Sequence, residues 1–234
     1  MPIDDRQRPD HNSLINIRGD RADQATAARW GLSYPVDVGP RLREARERRA
    51  LSLRELARIV KLSPSLISQI ETGKARPSVG SLYALTSALG LSIDRLFIEP
   101  DGASGQHSPS AAPDSEATLV VRASNRKAIE LESGVRWERM TAASHSDVDF
   151  LFVEYAPGGA SAATMTRHAG KEFGFVMTGT LTVTVNFDDY VLNPGDSVAF
   201  PSTTPHRLWN AGDVPVQAVW VVVGRHRTPS NESI

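Results

Sequence analysis

The chain has 234 residues, 40% hydrophobic and 23% charged, with no cysteine, which leaves room for one or two ordinary globular domains and excludes disulfides, thiolate metal sites and cysteine nucleophiles. No apolar run approaches the roughly 20 residues of a membrane helix, and the opening MPIDDRQRPDHNS puts acids and prolines where a signal peptide needs an apolar stretch; a cytoplasmic protein without membrane contact is expected. The net charge of −1 conceals a basic block, because residues 39–98 carry 11 Lys and Arg against 5 Asp and Glu, a net of +6. That block fits a polyanionic partner or a solvated basic helix face.

Residues 1–38 are rich in Asp, Arg and Asn with little apolar periodicity, and read as a mobile tail. Helical punctuation then begins. Pro40 suits a first helical position, which needs no N–H. Ser52 with Glu55 forms a capping box ahead of LRELARIV. Ser63 followed by Pro64 caps SLISQIE, with Gly73 as its left-handed C′ residue. Ser78 opens a fourth helix ending at Gly90, and Ser92 a short fifth. Leu42, Leu53, Leu56, Ala57, Ile59, Leu66, Ile67, Ile70, Leu82, Leu85, Leu89 and Leu96 recur at helical spacing and supply one small core.

Residues 99–118, EPDGASGQHSPSAAPDSEAT, lack the apolar surface to fold and read as a linker. Beyond residue 119, short runs such as DFLFVEYA, FGFVMTG, LTVTVNF and VQAVWVVV are broken by PGG, NPGD and NAGDVP. That alternation predicts an antiparallel sandwich or barrel. Helices first and strands second make a two-domain α + β chain, not a βαβ fold.

Two short helices joined across residues 61–63 in a basic surround describe a helix-turn-helix. The run from RLREARERRALSLRELA through SPSLISQIETG to RPSVGSLYALTSALGLSIDRLF resembles the five-helix DNA-binding domain of the phage-repressor, or XRE, family. The resemblance implies that 64–72 is the recognition helix and that the partner is a double-stranded DNA operator. Ser65, Ser68 and Gln69 would then face base edges, Gln being suited to adenine. Lys74 and Arg76 would hold phosphates, as would the start of the second helix at Arg54. Arg46 and Glu71 occupy the places of a structural ion pair in that family.

The second half resembles the cupin family, whose fold is an antiparallel double-stranded β-helix. Ala160, Thr166, His168, Glu172 and Gly179 fit the spacing G-x5-H-x-H-x(3,4)-E-x6-G, with Ala and Thr replacing the first glycine and histidine. Gly195, Pro201, His206 and Asn210 fit the second block, with Thr203 at its inner glycine. The resemblance implies a ligand pocket at Thr166, His168, Glu172 and His206. His168, Glu172 and His206 form a two-histidine, one-carboxylate set of a kind that holds iron(II); Thr166 removes the fourth donor. His11, His107, His145 and His226 fit neither block. Alternation puts Gly174 and Val176 on the face of Glu172, and Leu208 on that of His206, while Trp209 and Trp220 are expected in the core or at an interface.

These readings converge on a homodimeric transcriptional regulator, with residues 39–98 binding DNA and 119–234 sensing a small organic effector. No catalytic residue and no resident cofactor is expected, the three pocket groups serving as a polar anchor, with a divalent metal as the alternative occupant. A second reading is a metal-dependent cupin enzyme, of dioxygenase or isomerase type, carrying a DNA-binding head. A third makes the β-domain a dimerisation module only.

Overall fold

The computed structural model describes residues 34–97, 119–142 and 147–225. The linker expected at 99–118 and most of the tail lie outside the described residues.

Five helices follow in the described N-terminal part: α1 (Gly39–Arg48), α2 (Leu53–Val60), α3 (Pro64–Glu71), α4 (Val79–Leu89) and α5 (Ile93–Leu96). Each start after the first is fixed by a serine whose hydroxyl accepts an amide three residues on, at Ser52, Ser63, Ser78 and Ser92. The Glu55 carboxylate accepts the Ser52 amide in return, completing the capping box. The first helix begins one residue before Pro40, at Gly39, whose amide donates to Asp37 at 2.9 Å. Between α2 and α3 the chain turns at Lys61, in the left-handed region with φ 57°. Leu42, Leu56, Ile67, Ile70, Leu82, Leu85 and Leu96 are all buried, as their spacing predicts. Ile59 departs from that pattern: it is 56% exposed, on the rim of a cleft described below.

The buried carboxylate of Glu71 accepts two hydrogen bonds from Arg46, 2.7 Å from Nε and 2.9 Å from Nη2. Arg46 Nη1 donates to the carbonyl of Leu51. This fork ties α1 to the end of α3 and fixes the tilt of that helix.

The second part is built from two sheets. The larger runs β1 (Tyr34–Pro35), β2 (Lys127–Glu130), β3 (Val135–Arg139), β4 (Val148–Tyr155), β10 (Val216–Val223), β5 (Lys171–Thr178) and β8 (Ser197–Pro201) in spatial order. The smaller is β7 (Asp188–Leu192), β6 (Leu181–Val185) and β9 (His206–Trp209). All pairings are antiparallel except β1 with β2. Bridges at Ala160–Trp209 and Thr166–His206 bring the intervening chain onto β9 and close one side of the barrel. Inward residues alternate with outward ones, Val176, Ala218, Trp220 and Val222 facing Val183 and Leu208 across the interior.

The two parts are docked directly, and their apolar cores join into one cluster. Tyr34 and Pro35, at the end of the expected tail, pair in parallel with Lys127 and Ala128, and the Val36 amide donates to Ala128. The amide of Glu132 donates to the carbonyl of Pro77. Arg139 reaches Asp94 of α5 at 2.8 Å, and Arg225 lies 3.6 Å from Asp149 while donating to Thr86 of α4. Burial pushes the Asp149 carboxyl up to about 6, against the pull of the Arg225 charge. No helix among the described residues is long and apolar enough to cross a membrane.

Candidate nucleic-acid interface and barrel site

Ser65 and Gln69 are four residues apart on α3, and Ser68 three from Ser65, so the three share one helical face. Ile67 and Ile70 are buried on the other side. Ser65 and Gln69 are exposed and Ser68 half-buried. Arg54 is exposed on the first turn of α2, and Lys74 is exposed just past α3. Arg76 is also exposed, but its guanidinium lies 4.0 Å from Glu130 of β2, so a carboxylate of the barrel domain neighbours this cation.

In the barrel, alternation on β5 carries Glu172 inward and β9 does the same for His206, both buried. His168 arrives from the segment before β5, its backbone amide held by the carbonyl of Ser202 at 2.9 Å. Oε1 of Glu172 lies 3.1 Å from Nε2 of His168 and 3.1 Å from Nε2 of His206. The outer nitrogen of each ring faces a backbone carbonyl, Nδ1 of His168 at 2.9 Å from Ala169 and Nδ1 of His206 at 2.8 Å from Thr204. A proton on each Nδ1 satisfies those carbonyls and turns the Nε2 lone pairs inward. Two imidazole lone pairs and a carboxylate lone pair then converge on one point, which is repulsive unless a proton or a cation lies among them.

Burial opposes charge on Glu172, but the contacts and charges of His168 and His206 outweigh it and hold the carboxyl below its usual range. Burial likewise lowers His206, and the Glu172 carboxylate more than reverses this, raising it. Both shifts favour an imidazolium–carboxylate pair in the absence of metal. The same three donors, with ligand atoms within 4.8 Å of one another, fit a divalent cation. His168 Nε2 and Glu172 Oε1 are buried without an aligned hydrogen-bond partner in the protein, which agrees with that fit.

Thr166 stands at the edge of the cluster, but its hydroxyl leans to the backbone carbonyl of His206 at 3.4 Å and its backbone pairs with the same residue. It lines the cavity without joining the donor set.

Two contributors were not assigned to the pocket from the sequence. Trp220 is buried, as expected, but it also donates from Nε1 to Oε2 of Glu172 at 2.7 Å and so orients the carboxylate. The absence of a side chain at Gly174 makes room for it, since a Cβ there would fall 2.0 Å from the indole ring. The signal was a glycine inside a strand, which marks close approach, but its partner could not be named without the register. The other is Tyr83 of α4, whose ring lies 4.3 Å from that of His168; nothing local to α4 announces a neighbour 85 residues away.

Two family models match the chain, a helix-turn-helix at residues 42–96 and a cupin domain at residues 151–222. The HTH-type transcriptional regulator PuuR of Escherichia coli (strain K12) is 32% identical over 176 residues, covering 74% of this chain and 86% of PuuR. The HTH-type transcriptional regulator SutR of the same organism is 23% identical over 175 residues, covering 75% of this chain and 88% of SutR. In fold, the chain is similar to an HTH_3 family transcriptional regulator from Vibrio cholerae, with a TM-score of 0.56 at 18% identity, over 80% of this chain and 95% of that one. The chain belongs to the helix-turn-helix transcriptional regulators that carry a cupin domain after the DNA-binding domain.

Proposed function

We propose that this regulator works as a cytoplasmic homodimer that reads an operator through Ser65, Ser68 and Gln69, and that its barrel binds a small organic effector without turning it over. The observation that carries the DNA reading is the capped α2–α3 pair presenting these three side chains to solvent in a block of net charge +6. Arg54, Lys74 and Arg76 hold phosphates. Gln69→Ala is expected to cost about 1–3 kcal/mol on the operator and little on random DNA. Lys74→Ala is expected to weaken both equally and flatten the salt slope by about one unit. Fluorescence anisotropy on both DNAs across a salt series checks this; equal losses for Gln69→Ala on the two DNAs would contradict base reading.

Dimerisation is supported by the outer face of the large sheet. Phe173, Phe175 and Met177 on β5 project away from the cavity and are exposed. Val219 pairs with Phe175 and Val221 with Phe173, extending the apolar surface onto β10, where Val223 is also exposed. A contiguous apolar patch of this kind marks a protein contact, and a two-fold axis through it would bury the same face on both copies. Such a dimer presents two recognition helices, as an operator of two half-sites requires. Phe175→Asp is expected to convert dimer to monomer in light scattering with the circular dichroism unchanged; a dimer that persists would place the interface elsewhere.

The convergent His168, Glu172 and His206 favour one second reading, a metal-dependent enzyme with a DNA-binding head. Against it stands Thr166, which supplies no fourth donor. Metal content after purification without chelator, together with turnover lost in His206→Ala, would establish the enzyme.

A further inference from the structure

The cavity around Glu172 and His206 is walled by the barrel residues Trp137, Leu151, Tyr155, Leu208 and Trp220, but its remaining wall is Val79 and Tyr83, which belong to α4. The enclosed space is about 20 Å³. One water molecule needs about 10–15 Å³ by this measure, and pockets for organic ligands run to about 300–1,000 Å³. The barrel as closed here therefore accommodates a water or a metal ion and nothing larger. Outside Tyr83 lies a cleft of about 680 Å³ between α2, α4 and residues 164–169. Tyr83 and Thr166 line both spaces and form the partition between them.

Tyr83 cannot simply swing aside. Arg225 stacks on its ring with the guanidinium carbon 3.7 Å from the centroid, and Trp137 packs against it at 5.4 Å. The helix itself is seated close, because a Cβ at Gly80 would come within 2.8 Å of Thr166 Cγ2. Glycine inside a helix costs roughly 0.5–1 kcal/mol relative to alanine, a cost explained here by the close approach to the barrel. One buried ion pair, Arg139 with Asp94, spans the interface, and Arg225, paired with Asp149 inside the barrel, reaches α4 through the Tyr83 ring and the Thr86 hydroxyl. The Arg139–Asp94 pair gains little net energy over its solvated state, so it adds little to the apolar contact that opening must break.

We propose that α4 of the DNA-binding domain is the lid of the barrel: Tyr83 closes the pocket when the domain is docked, and an organic effector enters only when the domain lifts off. Docking and effector occupancy then exclude each other, and the effector acts by releasing the DNA-binding domain from its fixed place on the sheet. This rests on the reading of the barrel as an effector site, and it supplies the route by which that site reaches DNA without any signal through the linker. A metal ion at His168, Glu172 and His206 is compatible with either state.

The chain has no cysteine, so a single engineered disulfide can lock the lid. A Cβ at position 80 lies 3.5 Å from Cβ of Ala162, within the roughly 3.5–4.5 Å of disulfides. In the full-length Gly80→Cys, Ala162→Cys, Thr166→Ser protein, where loss of Thr166 Cγ2 removes the contact a Cβ at position 80 would make, the probe is diethyl pyrocarbonate, an organic reagent that needs no specific site, and the readout is carbethoxylation of His206 by peptide mass spectrometry. The oxidised protein is expected to react at least about tenfold more slowly than the same protein reduced, because reaction requires opening. Adding Tyr83→Ala to the oxidised protein is expected to restore reactivity, since the locked helix no longer fills the mouth. Equal rates in the reduced protein and in protein whose disulfide is confirmed by mass would overturn the proposal. A barrel that takes no effector would leave the difference in rates intact, so failure of the sensor reading is distinguishable from failure of the lid.

Discussion

Replacement of Arg46 by alanine is expected to destabilise the DNA-binding domain by about 3–5 kcal/mol, the cost of removing one partner from a buried ion pair. Glu71 is 7% exposed and receives both of its charged hydrogen bonds from Arg46. Without them a carboxylate remains buried at the end of the recognition helix, and the Leu51 carbonyl loses its donor as well. Because α3 is only eight residues long, it has no independent stability to fall back on. Operator binding is expected to disappear at temperatures where the wild type binds fully, while the barrel still melts as a folded unit. Denaturation followed by circular dichroism and by tryptophan fluorescence checks this; three of the four tryptophans, Trp137, Trp209 and Trp220, lie in the barrel domain. Arg46→Lys is expected to recover only part of the loss, since an ammonium cannot reproduce the fork.

A second large effect is expected at Glu172. In chelator-treated protein, Glu172→Gln keeps an oxygen for the Trp220 indole but removes the charge that balances His206. The cost is about 3 kcal/mol where His206 is protonated, again as for a broken buried pair. The pH dependence has a definite sign. The folded-state pKa of His206 is raised by Glu172, so the stability it contributes is fully present below the ordinary histidine value and is lost as pH rises through the raised one. The difference between wild type and Glu172→Gln is therefore expected to be larger at pH 5.5 than at pH 8.5, on the histidine scale of about 6.5. Urea denaturation at the two pH values measures it, and a gap that widens with pH would contradict the pair. The same variant is expected to bind Co²⁺ at least about 10–100-fold more weakly, the range that even an outer-shell partner commands.

Much of the fold was legible because its signals are local. Serine caps at 52, 63, 78 and 92 mark helix starts through bonds spanning three residues, and strand alternation puts Glu172, Gly174 and Val176 on one face. His168, Glu172 and His206 were singled out by a family spacing, and the structure sets Glu172 Oε1 3.1 Å from Nε2 of each histidine. What the sequence did not yield are long-range contacts. Tyr83 against His168, Arg225 under α4 and Trp220 on Glu172 depend on how α4 docks and how β10 registers with β5, and neither is written in any window of neighbouring residues. The same holds for residues 34–38, whose composition suits a tail but whose backbone donors find a partner at the open edge of β2. Linker composition at 99–118 carries no information on where the two domains sit, and the seated helix at the barrel mouth is visible only in the structure.

The most direct test of the account is selection of DNA from a random-sequence pool by the full-length protein, with the bound stoichiometry measured on the winners. An inverted repeat is expected, its half-site centres about 10–10.5 base pairs apart or a multiple of that, bound by two protomers and weakened at defined base pairs by Gln69→Ala. Recovery of no common sequence, or of a single half-site bound by one protomer, would contradict it.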